Sequence, residues 1–129
     1  MFTLDQISTA HSKVKSGADF PKYIQEIKIL GVVQYETFVV DGHVEYYGAQ
    51  NFSLKAPEKY SPLTVAGTLN ETVFKVGLKA HQEGKTDYPC FINMCAEAGI
   101  EKWTVNLDLM NCTYFDTTGN IVLEETIPS

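Results

Sequence analysis

The feature that most constrains the fold is an internal similarity at an offset of about 68 residues. At this offset a proline, a glycine and several aromatic positions coincide without a gap. Such residues have definite places in helix caps and strands, so their coincidence indicates two copies of one supersecondary unit. The sequence therefore predicts an internal duplication. The aligned segments are Asp19-Phe20-Pro21 with Asp87-Tyr88-Pro89, Leu30-Gly31-Val32 with Ala98-Gly99-Ile100, and Tyr46-Tyr47 with Tyr114-Phe115.

Each copy is predicted to hold two helices followed by three strands. Thr3-Leu4-Asp5-Gln6 is a capping box that predicts the start of the first helix, with Gly17 as its end. A proline in the first turn and a glycine after the last predict a second helix over about 19–31, and its counterpart over about 87–99. Asp41-Gly42 predicts a hairpin turn between two strands.

The predicted fold class is α+β. Residues from about 102 to 108 alternate between apolar and polar side chains, as in an antiparallel strand with one buried face. We expect two tandem α-α-β-β-β units, about 3–55 and 72–126, joined by a connector over about 56–71. Together they are predicted to form a single domain, 1–129, with an antiparallel sheet and helices packed on one face of it.

The composition narrows the class of function. The chain has 129 residues, 44% hydrophobic and 20% charged, which is typical of one globular domain. All ten basic residues are lysine and the net charge is −6, so we expect no nucleic-acid binding. No apolar run reaches the ~20 residues that span a bilayer, which predicts no membrane association. An odd number of cysteines and an N-terminus without a signal pattern predict reduced thiols in the cytoplasm.

Three segments give the chain a resemblance to a known family. They are residues 10–21 (AHSKVKSGADFP), Asp41-Gly42-His43 followed by Tyr46-Tyr47-Gly48, and residues 80–89 (AHQEGKTDYP). In these the chain resembles a small bacterial family of uncharacterised proteins, sometimes labelled "phage envelope protein" and found in prophage-bearing enterobacteria. The resemblance covers nearly the whole chain. It implies a compact single domain with a prophage association, and it supplies no activity, cofactor or catalytic residue.

Cys90 is the one candidate nucleophile. It lies in the first turn of a predicted helix, where the helix dipole is expected to lower the pKa of its thiol. His81 and Asp87 lie upstream as a possible base and orienting carboxylate. The alternative is a half-exposed structural cysteine, and no hydrolase signature surrounds Cys90, so we do not expect an enzyme. Cys95 and Cys112 are predicted to pack in the core.

His11 and His81 each follow an alanine on the apolar side of a predicted helix. An imidazole there can act as a general base or a metal ligand, but it more commonly packs with one hydrogen bond. Cys90 and Cys95 diverge by roughly 140° around a helix, which is unsuitable for zinc. No glycine-rich phosphate loop occurs either. The sequence predicts neither a metal site nor a cofactor.

One strand face differs between the two copies. Phe38, Val40 and the hairpin neighbour Tyr47 are predicted to form an apolar, aromatic patch in the first copy. The second copy has polar residues on that face. The patch is either a binding surface or the floor on which the connector, with Tyr60 and Leu63, is folded.

The favoured function is therefore a non-catalytic one, protein–protein binding to a partner or to a second copy, with Phe38, Val40, Tyr47 and His11 as the binding residues. The alternative is a small-molecule-binding protein or a thiol-dependent enzyme that uses a cleft between the two copies. His11, His81 and Cys90 would line that cleft. The sequence does not identify the partner or the ligand.

Overall fold

The computed structural model describes residues 1–15 and 19–128. In these residues the chain forms four helices and one six-stranded antiparallel sheet, which confirms the α+β class. The elements are α1 (Leu4–His11), α2 (Phe20–Leu30), β1 (Gln34–Phe38), β2 (Val44–Tyr47), β3 (Ser53–Ala56), α3 (Glu71–Gln82), α4 (Tyr88–Ala98), β4 (Ile100–Asn106), β5 (Asn111–Asp116) and β6 (Ile121–Thr126).

The start of α1 is the predicted capping box. The hydroxyl of Thr3 accepts from the backbone N–H of Gln6 at 3.2 Å, and the Gln6 side chain accepts from the Thr3 N–H at 2.9 Å. These bonds satisfy two of the backbone donors that a helix start leaves unpaired. The helix ends at His11, and Gly17, its predicted end, lies outside the described residues.

The second helix of each half follows the same local rules. Both α2 and α4 have a proline in the first turn, where its missing N–H costs nothing. Both end at a glycine in the left-handed conformation, with φ of 111° at Gly31 and 87° at Gly99. A residue with a Cβ adopts this conformation only with strain, so the glycines fix the two helix ends.

The strand order is β3-β2-β1-β4-β5-β6, so β1 and β4 are neighbours at the centre of the sheet. Their register pairs Glu36 with Thr104. The hairpin register is the same in both halves, since Tyr35 pairs with Tyr46 and Trp103 pairs with Tyr114, each 68 residues later. The first three strands thus form one half of the sheet and the last three form the other.

The core lies between one face of this sheet and the helices. Alternate strand residues are buried there, and rings from the helices pack on them: the ring of Phe91 lies 5.7 Å from that of Trp103, and the ring of Phe74 lies 4.9 Å from that of Tyr114. Burial of each large side chain contributes about 1.5–3 kcal/mol to stability. The largest fully buried side chains of the core are Ile24, Ile27, Val32, Val39, Phe74, Cys95, Ile100, Val105 and Leu107.

The connector between β3 and α3 runs past the β1–β2 turn and then along the helix side. The N–H of Leu63 donates to the carbonyl of Val40 at 2.7 Å, and the hydroxyl of Tyr60 donates to the carbonyl of Val39 at 2.6 Å. The N–H of Ala66 then donates to the carbonyl of Ala96 at the end of α4. Leu63 and Val65 pack against the core cluster, so these connector side chains add to the helix layer.

None of the helices in residues 1–15 and 19–128 combines the length and apolar character that a bilayer crossing requires.

Candidate functional site

The face of the sheet turned away from the helices is the open face. Its residues are half-buried or exposed, in contrast to the buried positions that alternate with them. The strand registers arrange them in three rows that cross the sheet. The aromatic row begins just before β2 and runs to β6: His43, Phe38, Lys102, Phe115 and Ile121. The central row runs from β3 to β6: Lys55, Glu45, Glu36, Thr104, Thr113 and Glu124. The amide row runs parallel to it, also from β3 to β6: Ser53, Tyr47, Gln34, Asn106, Asn111 and Thr126.

Glu36 is the centre of a hydrogen-bonded network on the open face. Its carboxylate accepts from the Lys102 ammonium at 2.6 Å, from the Thr104 hydroxyl at 3.2 Å and from the Tyr47 hydroxyl at 3.3 Å. The side chain of Glu36 is only 16% exposed and that of Lys102 is 31% exposed. The network thus pairs a mostly buried carboxylate with one cation and two hydroxyl donors, which offsets the cost of removing its charge from water.

Lys102 also lies between two aromatic rings. Its ammonium is 5.6 Å from the ring centroid of Phe38 and 5.4 Å from that of Phe115, within the range of cation–π attraction. The lysine therefore contacts both rings and connects them across β1, β4 and β5. Ile121, which is 63% exposed, ends the row on β6.

His43 extends the row beyond Phe38. The two rings stack with centroids 4.3 Å apart and an interplanar angle of 6°. The imidazole is oriented by carboxylates at its two nitrogens: Nδ1 contacts Asp41, and Nε2 lies 3.5 Å from Glu45. The backbone N–H of His43 donates to Asp41, and this bond is the main reason that the pKa of Asp41 is lowered.

Tyr47 links the central and amide rows. Its hydroxyl lies 3.3 Å from both Glu36 and Glu45. Desolvation, with a further contribution from the two carboxylates, raises the pKa of Tyr47 to about 12. The phenol is therefore protonated at neutral pH and donates its hydrogen bond to a carboxylate.

The other predicted binding residues lie elsewhere. Val40 follows the end of β1 in the turn, where its carbonyl binds the connector. His11 ends α1, is exposed, and meets Tyr23 edge to face at 5.3 Å. Partial desolvation and the charge of Lys59 lower the pKa of His11. Phe38 and Tyr47 are the two members of the predicted set that share the open face.

The structure brings Asp87 and Cys90 together and directs His81 to other partners. Nδ1 of His81 lies 3.2 Å from the carbonyl and hydroxyl of Thr86, and its ring stacks on Phe91 at 4.4 Å. Asp87 caps α4 by accepting from the N–H of Cys90 at 2.9 Å. Its carboxylate raises the pKa of the exposed Cys90 thiol, which is the opposite of the shift expected from the helix dipole. A carboxylate beside the thiol therefore disfavours the thiolate, which is the nucleophilic form.

Cys95 and Cys112 are buried, as their positions in the sequence predicted. Burial raises the pKa of both thiols. In the part of the chain that the structure describes, no three histidine, cysteine or acidic side chains converge to hold a metal ion.

Two grooves open on the surface of the described residues. One of about 460 Å³ lies between α1 and α2, and one of about 350 Å³ lies between α3 and β6. His11, His81 and Cys90 line neither groove. The grooves therefore give no support to a shared cleft built from these three residues.

Sequence reasoning missed Lys102 and Phe115 as members of the site. Phe115 had a usable signal, because it is the counterpart of Tyr47 at the 68-residue offset. Lys102 had none, since its contacts with Glu36 and Phe38 depend on the pairing of β1 with β4.

Fold and site define the class: a small α+β protein with helices on one face of its sheet and, on the other face, an aromatic row beside the Glu36–Lys102 pair. The chain belongs to the family described as "Protein of unknown function (DUF1398)", whose sequence profile matches residues 8–126. Membership of an uncharacterised family is thereby confirmed, and the family description assigns no activity. A search of curated proteins found no match to the chain.

Proposed function

We propose that this chain is a non-catalytic protein that acts by binding another protein chain through the open face of its sheet. The observation that carries the proposal is the aromatic row, in which Phe38, Phe115 and Ile121 lie on the sheet face opposite the described helices, with Lys102 between the two phenylalanine rings. Aromatic residues are enriched in the cores of protein–protein interfaces, and the Glu36–Lys102 pair among them is already compensated within the chain.

The contacts of the face favour binding without large rearrangement. Lys102 is held by Glu36 and by two rings, and His43 is held by Asp41. Side chains that are already ordered lose little conformational entropy when a partner covers them. The Glu36–Lys102 pair is complete within the chain, so a partner does not have to supply a charge to satisfy it.

The edges of the sheet are less suited to binding than its face. The edge strand β3 has four residues and is followed directly by Pro57, which has no N–H to donate. The other edge, β6, departs from regular register opposite Tyr114 and Phe115. Short strands, prolines and bulges are the features that hinder strand addition at an edge.

We also propose that the two halves arose by duplication of one α-α-β-β-β unit. The proposal is supported by the repeated element order and by helices α2 and α4, which begin and end 68 residues apart. The matching hairpin registers add support. A crystal structure in which residues 20–56 and 88–124 trace different backbone paths would overturn it.

The prophage association and a cytoplasmic location are further proposals. The first is supported by the family resemblance described above, and the second by three free thiols, which persist in a reducing compartment. Fractionation of cells expressing the tagged chain tests the location, and recovery in the periplasm would contradict it.

Site-specific photocrosslinking in bacterial cells tests the binding function. A benzophenone analogue of phenylalanine replaces Phe38 or Phe115 on the open face, and the same analogue replaces Glu97, an exposed residue of α4, as the control. We expect a discrete crosslinked product from the two open-face positions and none from position 97. Equal crosslinking at all three positions, or none at any, would contradict the proposal.

A further inference from the structure

We infer that the partner of the open face is a second copy of this chain, related by a twofold axis that runs parallel to the strands between β1 and β4. This inference rests on the proposed binding function and adds the identity and orientation of the partner. It follows from the charge pattern of the central row, from the way the aromatic and amide rows each pack on their own counterpart, and from the size of the face.

A twofold axis in the plane of the interface places two open faces against each other. When the axis is parallel to the strands, the strand order is reversed across the interface while each row meets itself. Strand β3 then lies opposite β6 of the second copy, and β1 lies opposite β4. The aromatic row packs on an aromatic row and the amide row on an amide row.

The charges match in this orientation. Lys55 at one end of the central row lies opposite Glu124 of the second copy, and the contact occurs twice by symmetry. Both residues are exposed, so neither has to leave a buried site to pair. Phe38 lies opposite the second copy's Lys102, which allows a further cation–π contact across the interface.

An axis perpendicular to the strands gives the opposite result. Each residue of the central row would then face its own copy, so Lys55 would meet Lys55 and Glu45 would meet Glu45. The aromatic row would also lie on the amide row. Like charges placed directly opposite are destabilising, and rings on amide groups leave polar groups unpaired. The charge pattern thus selects the axis parallel to the strands.

The amide row supports the same arrangement. In it Gln34 lies opposite Asn106 of the second copy, and Tyr47 lies opposite Asn111. Side-chain amides both donate and accept, so amide-to-amide contacts leave their groups satisfied when water is excluded. Strands that are nearly aligned across the interface also match the usual packing of two twisted sheets.

The size of the face sets the strength of the dimer. Six strands about 4.8 Å apart and five residues long cover a flat area of roughly 500 Å², to which the projecting side chains add further surface. A standard interface buries about 800 Å² per partner. With a net charge of −6 on each copy as well, the dimer is at the weak end of specific association, and dimerisation depends on concentration.

Charge reversal tests the axis. Sedimentation equilibrium from micromolar to millimolar concentration is measured for the wild-type chain, Lys55→Glu, Glu124→Lys and the double variant. Each single variant creates two like-charge contacts and is expected to weaken the dimer about tenfold. The double variant restores both contacts and is expected to return to within about twofold of wild type.

Mixing the two single variants separates the effect on association from any effect on folding, because each chain is the same alone and in the mixture. In a mixture of Lys55→Glu with Glu124→Lys, both contacts of the mixed dimer are favourable while those of each homodimer are not. We expect the mixture to associate about tenfold more tightly than either variant alone. Lys28→Glu and Glu97→Lys, exposed on the helix layer, make the same charge changes and are expected to leave association unchanged.

The outcomes separate this inference from the function on which it rests. A wild-type chain that stays monomeric to millimolar concentration overturns the second-copy inference. If Phe38 still crosslinks a protein of another mass, the binding function stands. A dimer that loses affinity in both single variants but does not regain it in the double variant or the mixture overturns the proposed axis.

Discussion

The two halves of the molecule are more alike where they face the core than where they face outward. On the core face, Tyr35 and Tyr46 of the first half correspond to Trp103 and Tyr114 of the second. In both pairs the rings contact at a tilt across neighbouring strands, with centroids 5.6 Å and 6.0 Å apart. Core packing therefore imposes the same aromatic requirement on both halves.

The open face follows no such requirement. Phe38 in the first half corresponds to Asn106 in the second, and Glu36 corresponds to Thr104. The central network joins the halves through Lys102 and Glu36, so it is asymmetric although the strands that carry it are arranged symmetrically. The halves therefore differ mainly at positions that core packing does not constrain. These positions include the candidate binding surface.

Substitution of the two helix-capping glycines gives the largest expected contrast between the halves. A Cβ at Gly99 would lie 2.8 Å from the Thr68 carbonyl oxygen, whereas a Cβ at Gly31 would meet only the Phe2 ring at 3.8 Å. Gly31→Ala is expected to cost about 1–2 kcal/mol from left-handed strain. Gly99→Ala is expected to cost about 3 kcal/mol or more, because the backbone contact adds to the strain.

Urea denaturation of the two glycine variants measures the difference directly. Equal losses of stability in the two variants would mean that the connector does not pack against the end of α4 as described.

The central network provides a smaller contrast. Lys102→Met removes the cation that compensates Glu36 and is expected to cost about 1 kcal/mol, since the pair is only partly desolvated. Gln34→Met, at the corresponding position of the first half, is expected to change stability by less than about 0.5 kcal/mol. Thermal unfolding of both variants tests this, and an unaffected Lys102→Met would show that Glu36 needs no cation.

Acid titration tests the cap of α4. The N–H of Cys90 lowers the pKa of Asp87 in the folded chain below its ordinary value, so the ionised group stabilises the fold above about pH 4. That contribution is lost as the pH falls through the folded-state pKa of Asp87. Asp87→Ser keeps a neutral cap that does not titrate. We expect stability to depend less steeply on pH in the variant between about pH 5 and 2, and identical slopes would contradict the cap.

The smallest effect concerns Cys90. Because Asp87 raises the pKa of its thiol, Cys90 is expected to react with iodoacetamide at pH 7 more slowly than a free model thiol. Asp87→Ser removes the carboxylate and is expected to accelerate the reaction severalfold. Mass spectrometry of the native chain resolves the site, since Cys95 and Cys112 are buried. Faster labelling of wild-type Cys90 than of the model thiol would revive the nucleophile hypothesis.

Local signals in the sequence predicted most of the elements. Helices α2 and α4 were recognisable from a proline in the first turn and a glycine after the last residue, and α1 from its capping box. Alternation of apolar and polar residues over about 102–108 correctly indicated that Val105 of β4 and Leu107, just after the strand, are buried. Each of these signals involves residues that are close together in the chain, so it can be recognised in a single sequence.

The site was only partly predictable, because its key contacts are long-range. The pairing of β1 with β4 brings Lys102 to Glu36 across 66 residues, and no local pattern specifies it. The helix-dipole argument predicted a lowered pKa for the Cys90 thiol. The pKa is instead raised, because the Asp87 carboxylate lies beside the thiol, and the sequence alone does not show that proximity. Phe38 and Tyr47 could be placed on a common face by alternation alone.

The most direct test of the binding surface compares Phe38→Asp on the open face with Val76→Asp on α3, which places the same charge on the helix layer. Val76 is 66% exposed and lies outside the face that the second copy covers, so an aspartate there meets water. By sedimentation equilibrium, with circular dichroism to verify folding, we expect Phe38→Asp to weaken association about 100-fold or more, as for an interface hot spot. Val76→Asp is expected to stay within about threefold of wild type. Equal effects of the two substitutions would contradict the claim that the aromatic row of the open face is the binding surface.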